Sequence, residues 1–183
     1  MKFTLYVLTA FFCLTLLFSA STNAQRRDYL TDEEIELVRD AQEINLRIEV
    51  LTKAIDRRFL VINNDASSSK QLQKDAERWG ELPTGSRSLL LWNIERILQK
   101  AIDDIDDVAA HKKTESEFFP KAIFKLTDSC QSYIPKLKTL YDSSKDEKEK
   151  GSILGAIDSC NQIIEASAKV PKVTPKEEKK KKN

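Results

Sequence analysis

The sequence predicts an all-α protein: an antiparallel up-down four-helix bundle with a short extra helix between the first and second long helices. Three observations lead there. The chain has four glycines in 183 residues, while Leu, Ile, Ala, Glu and Lys dominate. Four segments carry apolar residues at alternating steps of three and four, which places one stripe of a helix against its neighbours. No stretch alternates apolar and polar residues between hairpin turns, as strands would.

The N-terminal segment, 1–24, stands apart from this pattern. Met1-Lys2 precedes an apolar run from Phe3 to Ala20, and Thr22 and Ala24 are small residues placed for a cut before Gln25. That is the layout of a secretory signal peptide over 1–24, and it predicts a secreted or periplasmic protein. The run from Phe3 to Ala20 also sits at the lower limit for a membrane span, so retention as an uncleaved anchor is the alternative. Arg26 and Arg27 oppose the anchor, because they put positive charge on the exported side. Cys13 lies inside the apolar run and leaves with it.

The remaining chain, 25–183, is long enough for one domain with a sizeable core. Its charge is unevenly spread. From Lys169 onward, seven lysines face Glu177 and Glu178, a net of +5, and the body over 25–168 carries −5. Basic charge confined to a tail, with none gathered on a folded face, argues against nucleic acid as a partner.

The first long helix starts with a capping box. Thr31 and Glu34 have the spacing at which each satisfies a free backbone donor, and Leu30 and Ile35 occupy the positions of a hydrophobic staple. Asp32 and Glu33 suit the positive end of the helix dipole. The seam then runs Leu37, Ala41, Ile44, Ile48, Leu51, Ile55, Arg58, Ile62. Arg58 is its one charged member, and its stem can snorkel to solvent. Read as one helix, this segment is about 48 Å long and should overhang its partners. Asn63-Asn64-Asp65 stops it. Ser67-Ser68-Ser69 can cap a short helix from Lys70 to Trp79, and the glycines and proline between Gly80 and Gly85 end it. Trp79 and Leu82 are read as a plug on one end of the bundle, burial being the usual role of large aromatics.

The second long helix spans roughly Arg87 to Lys112, with the seam Leu91, Ile94, Leu98, Ala101, Ile105, Val108. The third opens near Thr114 and Glu117, again a capping spacing, with Pro120 in its first turn. Its seam is Phe119, Ile123, Leu126, Cys130, Tyr133, Leu137, Leu140, and Pro135 predicts a kink. The fourth follows Ser144 and Glu147 with the seam Ile153, Ile157, Cys160, Ile164, and ends before Pro171.

The last two helices share a register. Leu126 and Ile164, Cys130 and Cys160, Tyr133 and Ile157, and Leu137 and Ile153 each lie symmetrically about Lys145. The cap at Ser143-Ser144 locates the turn at the same place. The two cysteines left after cleavage therefore meet in one layer, and export places them in an oxidising compartment. A Cys130–Cys160 disulfide is predicted.

Candidate chemistry is sparse. Asp104, Asp107 and His111 are the one grouping whose residue types and spacing could hold a divalent metal. The reading adopted is a solvated acidic face, hence no metal and no cofactor. With a single histidine and no Glu-x-x-His, the two-metal bundle chemistry is excluded. There is no Cys-x-x-Cys-His, no Gly-x-Ser-x-Gly and no Gly-rich phosphate loop, so the chain is not read as an enzyme. The tail over 169–183 is too polar and proline-broken to pack. It reads as solvated, or functionally as an electrostatic tether to an anionic surface through Lys179, Lys180, Lys181 and Lys182.

The stretch from Asp28 to Glu43, together with Trp79-Gly80-Glu81-Leu82-Pro83, resembles a group of uncharacterised bacterial exported helical proteins. The resemblance implies an exported helical fold and supplies no functional residue. The reading overall is a signal peptide over 1–24, a helical domain over 25–168 and a Lys-rich tail over 169–183. Its expected role is binding or structural, in the cell envelope, with an envelope protein or anionic surface as partner. Membrane contact would be peripheral or through an uncleaved N-terminal segment. A small metal- or ligand-binding bundle is the alternative.

Overall fold

A computed structural model of the chain describes residues 28–64, 76–111 and 116–170. The signal segment, most of the short helix before Trp79, Thr114 and the lysines Lys179 to Lys182 lie outside the described residues. The protein is all-α. Its described residues form five helices: α1 (Asp32–Asp40), α2 (Ile44–Ile62), α3 (Arg87–Ala110), α4 (Phe118–Ser143) and α5 (Glu147–Ser167). A single helical turn over 76–79 precedes α3, and the described residues contain no strand. Among them no helix is long and apolar enough to cross a membrane.

The first long helix is the main departure from the sequence reading. The capping box forms: Glu34 N–H donates to Thr31 Oγ1, and Thr31 N–H donates to Glu34 Oε2. The helix then breaks at Ala41, which adopts φ −75° and ψ 84°. The chain folds back, so that Glu34 near the start of α1 meets Arg57 and Arg58 late in α2, while Arg47 early in α2 donates to the Ala41 carbonyl. The expected single long rod is therefore a hairpin of two shorter helices, and the predicted overhang disappears.

The other ends have local causes. Asn64, at φ 56°, takes the left-handed conformation that closes α2, as the Asn63-Asn64 stop predicts. Ser86 caps α3 by accepting from Leu89 N–H. The cap expected at Thr114/Glu117 involves a residue outside the described ones, and the cap expected at Ser144/Glu147 takes another form. Glu117 holds the N-cap position of α4 without a side-chain bond, and Asp146 caps α5 by accepting from Lys148 N–H. Ser144 is buried and donates to Glu149 instead. α4 continues through Pro135, which lies on the exposed face where water can satisfy the Gln131 carbonyl.

Ile48, Leu51 and Ile55 of α2, Leu91, Ile94 and Leu98 of α3, Leu126, Tyr133 and Leu137 of α4, and Ile153 and Cys160 of α5 are wholly buried in one core. Each large apolar side chain there contributes about 1.5–3 kcal/mol. Tyr133 buries its ring against Phe59, centroids 5.4 Å apart, and donates its hydroxyl to the Thr52 carbonyl.

The helix contacts form a ring, α2 to α3 to α5 to α4 and back to α2, which fits a bundle. α2 and α3 run in opposite senses, since Arg47 reaches Asp104 while Arg57 reaches Gly80 and Glu81 just before α3. α4 and α5 also oppose each other across their short turn. α3 and α5 run in the same sense: Arg87 pairs with Glu149, and Glu95 lies over Gly155. α3 and α4, consecutive in the chain, meet little; one bond there runs from Arg87 to the Leu140 carbonyl. The seam of α5 is turned toward α3, so Ala156 and Ile163 are buried while Ile157 and Ile164 are half-buried.

Candidate functional site

The most concentrated polar chemistry in the described residues is a buried ionic cluster joining α1, α2 and the segment before α3. Glu34 is fully buried, and Arg57 and Arg58 are 3% and 1% exposed. Arg58 Nη1 lies 2.6 Å from Glu34 Oε1 and donates also to the Ala54 carbonyl at 2.8 Å. Its Nη2 donates to the Tyr29 carbonyl at 2.7 Å. Arg57 Nε lies 3.2 Å from the same Glu34 oxygen, while its Nη2 donates to the carbonyls of Gly80 and Glu81.

One carboxylate thus faces two guanidiniums. The second positive charge is met by main-chain carbonyl dipoles drawn from three separate segments. Burying such charges is costly unless every donor is met, and here the carbonyls supply much of the compensation. Glu34 serves twice, with Oε2 in the capping box and Oε1 in the ion cluster. The sequence shows the first role and hides the second. Arg58 does not snorkel, because Glu34 waits for it inside. The available signal was a charged residue at a core position with an opposite charge on an adjacent segment.

Trp79 closes the cluster. It is buried, with Lys53 Nζ 4.9 Å and Arg57 Cζ 5.5 Å from its ring centre, so it packs on the C-terminal half of α2. Gly80, at φ +63°, follows it. The left-handed backbone favours glycine there; a Cβ would also stand 2.6 Å from Cδ of the exposed Glu33 side chain, which would have to move aside. The cluster holds no nucleophile. What it does is fasten three segments together.

The candidate metal grouping that the sequence reading set aside does not assemble among the described residues. Asp104 is turned inward, bonded to Lys100 and 3.6 Å from Arg47. Asp107 and His111 form an exposed pair, with His111 Nδ1 3.3 Å from Asp107 Oδ1 and 2.8 Å from the Asp107 carbonyl. Asp104 belongs to the α2 interface, apart from that exposed pair. Among the described residues no three His, Cys, Asp or Glu side chains could hold a metal ion together.

Cys130 and Cys160 are both wholly buried, and they are free thiols here; the predicted bridge is not closed. The hairpin register does bring them side by side. A hydrogen bond with Cys160, and then burial, push the Cys130 thiol above its usual range. Elsewhere in the core, burial and the nearby Asp56 carboxylate raise the Tyr133 phenol.

No protein-family model matches this chain, and neither the curated proteins nor the solved structures contain a match.

Proposed function

We propose that this is an exported helical protein of the cell envelope that acts by binding or as a structural component, held to an anionic surface by its lysine tail. The single observation that carries the reading is the segregation of character along the chain: an apolar leader, an acidic body and a basic tail. The four long helices, in this reading, form a bundle of two antiparallel hairpins, α2–α3 and α4–α5, set side by side with α3 and α5 in the same sense, where the sequence reading had every neighbour antiparallel. α1 is fastened outside as an arm.

Each lysine near an anionic surface adds about 1 kcal/mol, so the seven in the tail are enough for salt-sensitive attachment without an acyl or aromatic anchor. Co-sedimentation with vesicles of anionic lipid tests the tether. Binding by the full chain that is lost on deleting 172–183 supports it. Equal binding by both contradicts it.

A further inference from the structure

The apolar seam of the first two helices runs unbroken through the place where the structure folds. Leu37, Ala41, Ile44, Ile48 and Leu51 keep steps of four and three across the hinge. The hinge itself, Ala41-Gln42-Glu43, contains no glycine or proline; alanine and glutamine are good helix formers. α2 starts poorly here: Glu43 makes no side-chain cap, and the first turn has no acidic residue. The last backbone bond of α1 runs from Ala41 to Leu37, and the next helical bond from Arg47 to Glu43. The N–H groups of Gln42 through Leu46 between them make no helical bond. A straight helix would satisfy them all.

Local sequence thus favours one long helix, and tertiary contacts favour the folded arm. The fully buried residue of α1 is Glu34, bound to Arg57 and Arg58, and Leu37 and Val38 pack half-buried against the core beside it. From these observations we propose that α1 is an exchangeable arm, and that its alternative seat is the same site on a second copy of this chain. In the exchanged form each hinge straightens into a continuous helix. Glu34 of one copy then enters the Arg57–Arg58 site of the other, which is incomplete without it. The Glu34 contacts with Arg57 and Arg58 are kept, Arg47 gives up the Ala41 carbonyl, and the hinge donors gain helical partners. Exchange of an identical element costs little for this reason, and a short hinge invites it.

The test is refolding of the full chain from urea, at about 1 mM and about 1 µM, followed by light scattering after dilution. The expected result is a dimer from the concentrated sample that persists on dilution, and a monomer from the dilute one. In dimers refolded from mixed isotope-labelled and unlabelled chains, proton contacts between Glu34 and Arg58 should cross between copies. Gln42→Pro should lower the dimer fraction about tenfold or more, since proline breaks the straight helix while the extended Ala41 already suits a residue before proline. Gln42→Ala should raise it. Monomers at both concentrations for the wild type and Gln42→Ala would overturn the proposal. So would dimers whose Glu34–Arg58 contacts stay within each copy. The isotope measurement needs only the wild type, so it decides the matter even if Gln42→Pro does not fold.

Discussion

Glu34 Oε1 and Arg58 Nη1 stand 2.6 Å apart in a part of the molecule that neither side chain leaves for water. The pair fixes where the chain turns back on itself, because it ties the start of α1 to the far half of α2. Removing the carboxylate leaves two buried guanidiniums with no counter-charge. Glu34→Gln should therefore cost about 3–5 kcal/mol in urea unfolding, while Thr31→Ala, which touches only the cap, should cost about 1 kcal/mol. Equal small losses for both would mean that the ion cluster contributes nothing.

Two glycines should respond in opposite directions. Gly151 lies inside α5, and a methyl group added there would meet no atom within 4 Å. Gly151→Ala should stabilise the protein by about 0.5–1 kcal/mol through helix propensity alone. Gly80→Ala should destabilise it by about 1–2 kcal/mol for the left-handed backbone, and by more if Glu33 cannot move aside. Thermal melts of the two variants check both signs.

Much of this was legible in the sequence. The seams of α2, α3 and α4 predicted most of the buried faces, the seam of α5 is turned so that Ala156 and Ile163 take the buried places of Ile157 and Ile164, and symmetry about Lys145 predicted that Cys130 and Cys160 would be neighbours. What the seams could not show was the fold-back at Ala41, because local pattern there speaks for a straight helix and the deciding contacts lie far along α2, at Arg58. Glu34 and Arg58 were each explained locally, as a cap and as a snorkelling side chain, and the pairing needed the third dimension. In the sequence Asp104 reads as part of a solvated acidic face with Asp107 and His111; its burial against Arg47 depends on how α3 is turned, which the spacing alone leaves open.

The acidic end of α3 should be indifferent to metals. Millimolar divalent ions should leave the melting temperature unchanged, and Asp107→Ala should do the same, since Asp107 is exposed. Asp104→Ala should cost about 1 kcal/mol or less, because its partners Arg47 and Lys100 are about a third exposed and can turn to water. A melting temperature that rises with added metal and loses that rise in Asp107→Ala would restore the metal reading.

The thiols give a pH and redox test. With its pKa raised in the folded state, Cys130 stays protonated and should resist alkylation until the protein unfolds. The unfolded chain ionises its thiols and phenols near the ordinary values of 9.0 and 10.0, and the folded Cys130 and Tyr133 do not. Stability contributed by these groups is therefore complete below pH 9.0 and falls as the pH rises through that range. Protein made in a reducing compartment should show two thiols on denaturation. Exported protein should show none if oxidation there removes the two thiol protons and two electrons and joins the sulfurs. Closing that loop would contribute about 3–4 kcal/mol. Two thiols in exported protein would rule the bridge out.

The most direct measurement of the central claim is fractionation of cells producing the full chain and the chain lacking 172–183, with mass analysis of the N-terminus. The account predicts a protein outside the cytoplasm that begins at Gln25. It should be retained on the envelope at low salt and released at about 0.3 M salt, where the screening length is a few ångströms. The shortened chain should be exported equally well and not retained. An intact Met1 on a cytoplasmic protein, or equal retention without the tail, would contradict it.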